Sequence, residues 1–373
     1  MKTSNAHARL HIHRNVRTPP MAAADPLTPA LTALLERFRD ENLPALARAI
    51  SVVENERPGF QRFLHSVLGR GPRARRVGVT GPPGAGKSSL VAAIAARYRQ
   101  EGERVGVVAV DPTSPYSGGA LLGDRIRMND IATDPGIFIR SMATRGSLGG
   151  LATTTKEVVD LMDAFGLERV LVETVGVGQT ELEITSAGDT VVVVLVPESG
   201  DAIQAMKAGL MEIADVFVVN KADRPGSARL VKELRQALHL RAGNALKDIP
   251  AHHGVDLGAL VKEERTMDAP PADSGAWTVP VLATNALVGE GLDELIGAIA
   301  RHRVWLEGSG QLAERRRERA AGRVRDVAER ELRRITWAAD STAELLERGL
   351  DAIASGRDTP YSVAEEIVRA LLR

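Results

Sequence analysis

A glycine-rich segment in the first third of the chain carries the residue types that bind phosphate. Residues 77–90 read VGVTGPPGAGKSSL, a short apolar run followed by Gly-x-x-x-x-Gly-Lys-Ser. Such a loop lets backbone N–H groups converge on phosphate oxygens, and the helix behind it directs its positive dipole end at the same anion. Lys87 is suited to reach the β- and γ-phosphates, and the Ser88 hydroxyl to bind Mg²⁺. The segment predicts a nucleotide site made of Gly81, Pro82, Gly84, Ala85, Gly86, Lys87, Ser88 and Ser89.

A second motif indicates which base that nucleotide carries. Residues 216–223 read VFVVNKAD, an apolar strand that ends in Asn-Lys-x-Asp. The Asp223 carboxylate can accept hydrogen bonds from the ring N–H and the exocyclic amine of guanine. Adenine lacks this donor pair and would leave the acceptors unpaired. Asn220 is expected to steady the loop and the stem of Lys221 to lie over the base, so the two motifs together predict GTP rather than ATP.

Two acids follow strands that should end beside the phosphate loop. Asp111 follows the apolar run 105–110, and Glu173 ends the run 169–173. Mg²⁺ prefers hard oxygen ligands and usually takes one or two carboxylates with phosphates and water. We therefore expect Asp111 and Glu173 at a magnesium site, the alternatives being an Asp-Pro turn and a helix cap. Gly176 is placed for its N–H to meet a γ-phosphate, and Gln179 is a candidate for orienting the attacking water, with a structural hydrogen bond as the alternative.

Composition limits the classes of partner and compartment. The 373 residues carry a formal net charge of +0 and no cysteine, and 44% of them are hydrophobic. The balanced charge gives no indication of a nucleic-acid or membrane partner. The absence of cysteine excludes disulfides, thiolate metal sites and a thiol nucleophile, and it fits a reducing compartment, so a cytoplasmic location is expected. No apolar run approaches the length of a membrane span.

The order of apolar runs predicts the fold class. Between residues 77 and about 303, strands alternate with helices, which predicts an α/β fold with a doubly wound, mostly parallel sheet and a ligand at the carboxyl ends of its strands. Strands are expected at 77–80, 105–110, 137–140, 169–173, 190–196, 215–219 and 279–283. We expect four regions: a disordered tail (1–26), an N-terminal helical segment (27–72), the P-loop domain (73–306) and a C-terminal helical arm (307–373).

Three of these regions carry further expectations. The first 25 residues are basic and rich in histidine, which favours a disordered tail, with a targeting peptide or a true start at Met21 as alternatives. Residues 241–275 look like a helical excursion followed by a flexible loop. The arm combines charged runs with recurring apolar residues, so a homodimer is expected, with packing against its own domain as the alternative.

Several segments together resemble one known family. GVTGPPGAGKSSL, AVDPTSPYSGGALLGDRIRM, VETVGVGQTE, VPESGDAIQAMKAGLMEIADVFVVNKAD and GEGLDEL are similar to the MeaB/MMAA/ArgK family of P-loop GTPases, with bacterial MeaB nearest, over roughly residues 45–373. The resemblance implies a metallochaperone-like GTPase with a slow intrinsic rate that its partner stimulates. It would gate adenosylcobalamin loading into methylmalonyl-CoA mutase and protect that enzyme. An older name of the family refers to an arginine and ornithine transport kinase or ATPase, against which the NKAD motif argues.

The resemblance also assigns roles to individual residues. It makes Asp111 and Glu173 magnesium-site acids and Asp124 a switch acid near the γ-phosphate. It makes residues 197–210, with Gln204 and Lys207, a switch that responds to the partner. Thr284, Asn285 and Ala286 would lie beside guanine, although they depart from the Ser-Ala-Lys of many GTPases. No motif of the chain's own binds cobalamin.

Other functions fit the sequence less well. A nickel-insertion GTPase should carry Cys or His clusters near the nucleotide, whereas this chain has no cysteine. A partitioning ATPase needs a second lysine early in the loop, where Pro82 and Pro83 stand. A small-molecule kinase needs an acceptor pocket that the sequence does not indicate, and a signal-recognition GTPase would bind RNA or a membrane receptor. A GTPase that serves another acyl-CoA mutase remains open.

Overall fold

The computed structural model describes residues 26–69, 71–111, 128, 131–143, 153–174, 183–197, 209–241 and 275–372. Asp111 is described by its backbone alone. Several predictions lie outside the described residues: those on the tail (1–25), on most of the excursion (242–274) and on Asp124, Gly176, Gln179, Gln204 and Lys207.

Seven parallel strands form one sheet in the part of the chain that is described. They are β1 (Arg75–Thr80), β2 (Val105–Asp111), β3 (Ile137–Ala143), β4 (Arg169–Thr174), β5 (Thr190–Leu195), β6 (Val216–Asn220) and β7 (Val281–Thr284). Their order across the sheet is β3-β2-β4-β1-β5-β6-β7. β1, β4, β5 and β6 are almost entirely buried and rich in β-branched residues, as expected for parallel strands covered on both faces. The predicted doubly wound α/β fold and all seven predicted strands are confirmed.

Helices cover both faces of the sheet. The described helices are α1 (Pro29–Arg39), α2 (Leu43–Glu54), α3 (Phe60–Val67), α4 (Lys87–Gln100), α5 (Thr153–Phe165), α6 (Leu210–Ile213), α7 (Ser227–Arg241), α8 (Leu292–Gly308), α9 (Gln311–Ala338), α10 (Asp340–Ala354) and α11 (Pro360–Leu371). One core lies under α1, α2, α3, α5 and α7, and the other under α4 and α8. The predicted N-terminal helical segment belongs to the first core, where Phe38 makes edge-on ring contacts with Phe63 and Phe165.

At the amino ends of the strands, two buried carboxylates hold the arm. Asp189 immediately precedes β5, and Arg303, Arg316 and Arg319 form ion pairs with it. Asp215 immediately precedes β6 and accepts two hydrogen bonds of 3.0 Å from Arg315. We call these six residues, Asp189, Asp215, Arg303, Arg315, Arg316 and Arg319, the arginine clamp. The clamp joins the start of α9 to the amino edge of the sheet.

Charge within the arginine clamp changes the acidity of Asp189. Burial alone would raise the pKa of this carboxyl, but the hydrogen bond from Arg316 and the charges of Arg319 and Arg316 lower the pKa to about 2. Arg316 also donates to the backbone oxygens of Pro72 and Ala74 ahead of β1, at 2.7 and 3.1 Å. The clamp therefore contacts the amino ends of β1, β5 and β6.

A fully buried histidine in α8 lies against the clamp. The Nδ1 atom of His302 is 2.9 Å from Thr190 Oγ1, and its Nε2 atom is 3.3 Å from Asp215 Oδ1. Burial lowers the pKa of His302 to about 4, so the ring is neutral at pH 7. The rings of Trp277 and Trp305 lie 4.7 and 5.6 Å from the His302 ring, and the Trp277 indole donates to the Asp215 carbonyl oxygen at 2.8 Å.

The C-terminal arm packs on its own domain at its start and exposes apolar side chains further along. Through Arg330 it packs on its own domain, because beyond the clamp Arg323 and Arg330 pair with buried Glu157 of α5. From Leu332 through α10 it exposes large apolar side chains, among them Leu332, Ile335, Trp337 and Leu350. The alternative of an arm packed on its own domain is thus met through Arg330, and the homodimer stays a prediction for residues 332–354. No described helix is both long and apolar enough to span a bilayer.

Candidate nucleotide site

The phosphate loop connects β1 to α4 and needs glycine at two positions. Gly81 has φ +138°, and a Cβ there would lie 2.0 Å from the Val194 carbonyl oxygen of β5. Gly86 has φ +82°, and a Cβ there would lie 2.5 Å from the Asn220 amide nitrogen. Side chains are excluded at both positions by neighbouring strands and by backbone strain. The other predicted loop residues lie in the same turn and in the first turn of α4: Pro82, Gly84, Ala85 and Ser89.

Lys87 begins α4 and folds back over the loop. Its side chain is buried, and Nζ donates to the carbonyl oxygens of Gly81 and Pro82 at 2.9 and 3.0 Å. The ammonium group therefore lies within the turn of the loop that precedes it. This arrangement places a fixed positive charge next to backbone N–H groups at a helix N-terminus, a combination that attracts phosphate.

Ser88 and Glu173 meet between α4 and the end of β4. The Ser88 hydroxyl donates to Glu173 Oε1 at 2.7 Å, and both side chains are buried. Strand register explains the meeting, since Glu173 pairs with Val79 two residues before the loop. A hydrogen bond of 2.8 Å between Thr174 and Thr80 joins the same two strand ends.

These oxygens fit a hard divalent cation. A hydroxyl and a carboxylate beside a phosphate loop are the donor types that Mg²⁺ takes alongside phosphate and water. Asp111 ends β2, in register with Ala143 of β3, and β2 lies next to β4 at the same edge of the sheet. Among the described residues, no group of three or more His, Cys, Asp or Glu side chains could hold a metal ion alone.

Asn220, at the end of β6, connects the phosphate loop to the end of β7 and the loop after it. Its amide nitrogen donates to the Ala85 carbonyl oxygen at 2.9 Å. Its amide oxygen accepts from the Thr284 hydroxyl and the Ala286 N–H, both at 3.2 Å. The end of β6 is thereby joined to the phosphate loop on one side and to the loop after β7 on the other.

The residues predicted to read the base lie at the exposed rim of this arrangement. Lys221 has φ +57°, an uncommon backbone conformation for a residue with a side chain. Asp223 is exposed, and its Oδ1 atom accepts a hydrogen bond of 3.0 Å from the Asn285 amide nitrogen. The structure therefore brings Asn220, Asp223, Asn285 and Ala286 together.

Sequence reasoning missed two features of the site. It did not find the Thr80–Thr174 contact, because it depends on which strands are neighbours. It also placed Asn285 beside guanine without the bond to Asp223. The available signal was the short polar segment directly after β7. It indicated that this segment lies near the base, but it did not indicate the hydrogen bond between Asn285 and Asp223.

Comparisons with known proteins agree with this geometry. Residues 46–341 match the family described as "Methylmalonyl Co-A mutase-associated GTPase MeaB". A relative from Pyrococcus abyssi is 41% identical over 339 residues, which cover 91% of this chain and 96% of that protein. GTPase ArgK of Escherichia coli is 34% identical, over 81% of this chain and 85% of its own.

A solved structure extends the likeness to the fold. The crystal structure of an LAO/AO transport system kinase superposes with a TM-score of 0.61 at 26% identity, covering 93% of this chain and all of the other. With the family match over most of its length, this chain belongs to the MeaB family of P-loop GTPases.

Proposed function

We propose that this chain is a cytoplasmic GTPase that controls adenosylcobalamin loading into methylmalonyl-CoA mutase and protects that enzyme. The observation that carries the GTP site is the Asn220 network, because it joins the phosphate loop to the loop with Asp223. Phosphate and base subsites are then held at a fixed separation. The family description supports the mutase as partner.

Each part of the site has a role in phosphoryl transfer. The backbone of residues 81–86 and the Lys87 ammonium would hold the β- and γ-phosphates, and the Ser88 hydroxyl with the Glu173 and Asp111 carboxylates would hold Mg²⁺. The metal ion, when bound there, would neutralise charge on the phosphate oxygens. Gln179 is our candidate for orienting the attacking water, Asp124 for a switch acid, and Gly176 for the contact with the γ-phosphate.

Substitution of Asp223 tests the guanine site. An amide at this position would offer a donor where guanine offers one too, and it would match the second carbonyl oxygen of xanthine. Asp223→Asn should therefore lose affinity for GTP and gain affinity for xanthosine triphosphate, measured by isothermal titration of both nucleotides. Unchanged GTP binding by this variant would remove the basis for the guanine assignment.

Magnesium dependence tests the acids. Asp111→Ala and Glu173→Ala should lower GTP turnover, and raised Mg²⁺ should recover part of the loss, because each variant lacks one oxygen near the cation. The measurement is GTP turnover across a Mg²⁺ titration. Turnover at the wild-type level with no response to Mg²⁺ in either variant would refute the assignment.

The partner is proposed to act on residues 196–210. Apart from the candidate Gln179, no Arg or Gln in this sequence has an evident role in positioning water or as an internal catalytic finger, so the intrinsic turnover should be slow. We infer that the mutase moves Lys207 toward the phosphates, which would supply the missing positive charge. The polar segment between β5 and β6 is longer than a turn would require, which motivates this role.

The corresponding experiment compares GTP turnover with and without methylmalonyl-CoA mutase. Lys207→Ala should keep most of the basal rate and lose most of the stimulation. Equal stimulation of wild type and variant would eliminate Lys207 as the relay. Stimulation only by a different acyl-CoA mutase would reassign the partner, and no stimulation by either enzyme would refute the chaperone function.

Homodimer formation is proposed for residues 332–354 of the arm. Exposed apolar side chains as large as Leu332 and Trp337 along one arm are unusual for a monomer. Leu332→Glu with Trp337→Glu should convert a dimer to a monomer in light scattering after gel filtration. A monomeric wild type would contradict the proposal.

A further inference from the structure

Two buried threonines lie where β1 and β4 end beside the phosphate loop. Thr80 ends β1, directly before Gly81, and Thr174 ends β4, directly after Glu173. Both threonine side chains are fully buried, and the Thr174 hydroxyl donates to the Thr80 hydroxyl at 2.8 Å. This hydrogen bond therefore joins the residue before the phosphate loop to the residue after the acid that we propose for Mg²⁺.

The threonine bond continues the contact between β1 and β4 past the end of their backbone pairing. The last backbone pair of these two strands is Val79 with Glu173. One residue further along, the backbones of Thr80 and Thr174 pair with the outer neighbours β5 and β2. At that level of the sheet, the two hydroxyls supply the contact between β1 and β4.

The threonine bond and the Ser88–Glu173 bond lie on opposite faces of the sheet. Side chains alternate between the faces along a strand. Along β4, Leu171 belongs to the core under α4 and α8, and Val172 belongs to the core on the other face. Glu173 therefore points toward α4, where Ser88 donates to it, and Thr174 points away from α4. One hydrogen bond on each face holds the end of β4 to the segment that carries the phosphate loop.

We propose that Thr80 and Thr174 are positioning residues for Mg²⁺, which act by fixing the Glu173 carboxylate relative to the Ser88 hydroxyl. This inference rests on the proposed magnesium site. Groups behind the ligands of a metal set the orientation of those ligands and thereby its affinity. The hydrogen bonds of the Glu173 carboxylate must adjust when the cation binds. With the threonine bond on the other face, the backbone that carries Glu173 keeps its position meanwhile, so less freedom is lost on binding.

Substitutions at both positions separate the hydrogen bond from the size of the side chains. Thr174→Val and Thr80→Val each remove one hydroxyl at nearly unchanged volume, and the double variant removes both. Thr174→Ser keeps the hydroxyl donor. Thr190→Val is the matched control, because the buried Thr190 hydroxyl lies 2.9 Å from His302 Nδ1 at the amino ends of the strands. Urea unfolding of each variant checks that the fold is intact.

The main measurement is isothermal titration of Mg²⁺ into the GDP-bound protein. Thr174→Val, Thr80→Val and the double variant should each bind Mg²⁺ roughly fivefold more weakly, the loss that corresponds to one hydrogen bond between neutral groups. The double variant should lose no more than the single variants, since all three lack the same bond. Thr174→Ser and Thr190→Val should keep the wild-type affinity for Mg²⁺.

Two further measurements show where the effect arises. GDP affinity in EDTA should stay within about twofold of wild type in all variants, because the N–H groups of the phosphate loop are unchanged. GTP turnover at saturating Mg²⁺ should also stay within about twofold, since excess cation compensates for weaker binding. The loss should therefore appear in the Mg²⁺ concentration that turnover requires.

Three results would overturn the inference. Wild-type Mg²⁺ affinity in the double variant would show that an unpaired buried hydroxyl, and not the lost bond, causes any effect of the single variants. An equal loss in Thr190→Val would make reduced stability responsible. An equal loss of GDP affinity in EDTA would place the effect in the phosphate loop. If Glu173→Ala kept the wild-type affinity for Mg²⁺, the proposed magnesium site itself would be refuted, so the two failures are distinguishable.

Discussion

Charged side chains have opposite surroundings at the carboxyl and amino edges of the sheet. At the carboxyl edge, Lys87 and the N–H groups of the phosphate loop lie at the start of α4, while Asp223 comes from a second loop and is exposed. At the amino edge, Asp189 and Asp215 are buried and contacted by four arginines of α8 and α9. One edge presents its charges to a ligand, whereas the other neutralises them within the chain. A single sheet can therefore separate binding from stability by strand direction.

The two edges are also connected, because the same strands reach both. β1 runs from the Ala74 contact with Arg316 to the phosphate loop. β6 follows Asp215 directly and ends at Asn220, and β5 connects Asp189 to the stretch that reaches Pro197, where the proposed partner-responsive segment begins. Variants at either edge can show whether a change in stability at one edge alters nucleotide binding at the other.

The largest effect is expected on GTP hydrolysis, when the positive charge of Lys87 is removed from the carboxyl edge. Lys87→Ala should abolish GTP hydrolysis, with a loss of roughly a thousandfold or more, since a preorganised charge on the phosphates disappears. The free energy of unfolding should change far less. Single-turnover hydrolysis and urea unfolding of the same preparation test both statements. Hydrolysis within tenfold of wild type would contradict the assignment of Lys87.

The opposite pattern is expected from breaking the arginine clamp. Asp189→Asn leaves Arg303, Arg316 and Arg319 without their shared carboxylate and should lower the free energy of unfolding by about 3–5 kcal/mol. Affinity for GDP should stay within about threefold of wild type, because the substitution lies at the far end of the strands. Urea unfolding and GDP titration provide the measurements. A large loss of GDP affinity in a folded variant would mean that the edges are energetically coupled.

Acid should weaken the amino edge in two separate pH ranges. The pKa of His302 is about 4 in the fold against an ordinary value of about 6.5. The unfolded chain therefore takes up this proton first. The associated stability is complete above pH 6.5 and is lost as pH falls toward 4, by about 3 kcal/mol. For Asp189, with a pKa of about 2, stability of about 2 kcal/mol is present above pH 4 and is lost as pH falls to 2.

Unfolding free energies in urea at pH 7, 5.5 and 4.5 test the histidine range. His302→Gln should flatten the pH dependence between 6.5 and 4, and Asp189→Asn should flatten it below 4. If the wild type and His302→Gln lose stability in parallel over the upper range, the buried neutral ring is not the source.

The smallest effect on stability is expected from removing an ion pair that lies at neither edge of the sheet. Arg229 and Glu233 pair on the exposed side of α7 at 2.8 Å. Arg229→Ala should leave the unfolding transition unchanged within error, because water and salt screen such pairs. Arg229→Ala serves as the reference for Asp189→Asn, since each variant removes one charged side chain that forms an ion pair. A loss comparable to that of Asp189→Asn would indicate that net charge, and not burial, governs stability.

Local pattern was sufficient to predict much of the fold. Apolar runs identified all seven strands, and the largest shift of a single boundary is at β3, which extends to Ala143 beyond the predicted residue 140. The phosphate loop and the Asn-Lys-x-Asp motif could be read directly because their chemistry is contained in a few consecutive residues. Their mutual contact through Asn220 follows from parallel strands ending at one edge.

The clamp could not be predicted in the same way. Arg315, Arg316 and Arg319 look like a solvated helix face in sequence, because Asp189 and Asp215 lie about a hundred residues earlier. Which strands are neighbours and where α9 crosses them decide those pairs, and neither is encoded in a short window. The bond between Asn285 and Asp223 was missed for the same reason, since it depends on the β6–β7 register.

The cluster of Trp277, His302 and Trp305 rings gives the protein an intrinsic fluorescence probe. The chain has three tryptophans. Two of them flank the buried ring beside the clamp, and Trp337 lies exposed on the arm. Ultraviolet excitation of unlabelled protein therefore reports on the amino edge and the arm. Exposure of this ring cluster to water would shift the tryptophan emission to longer wavelength. A conformational change confined to the Asp223 loop would leave the emission wavelength unchanged.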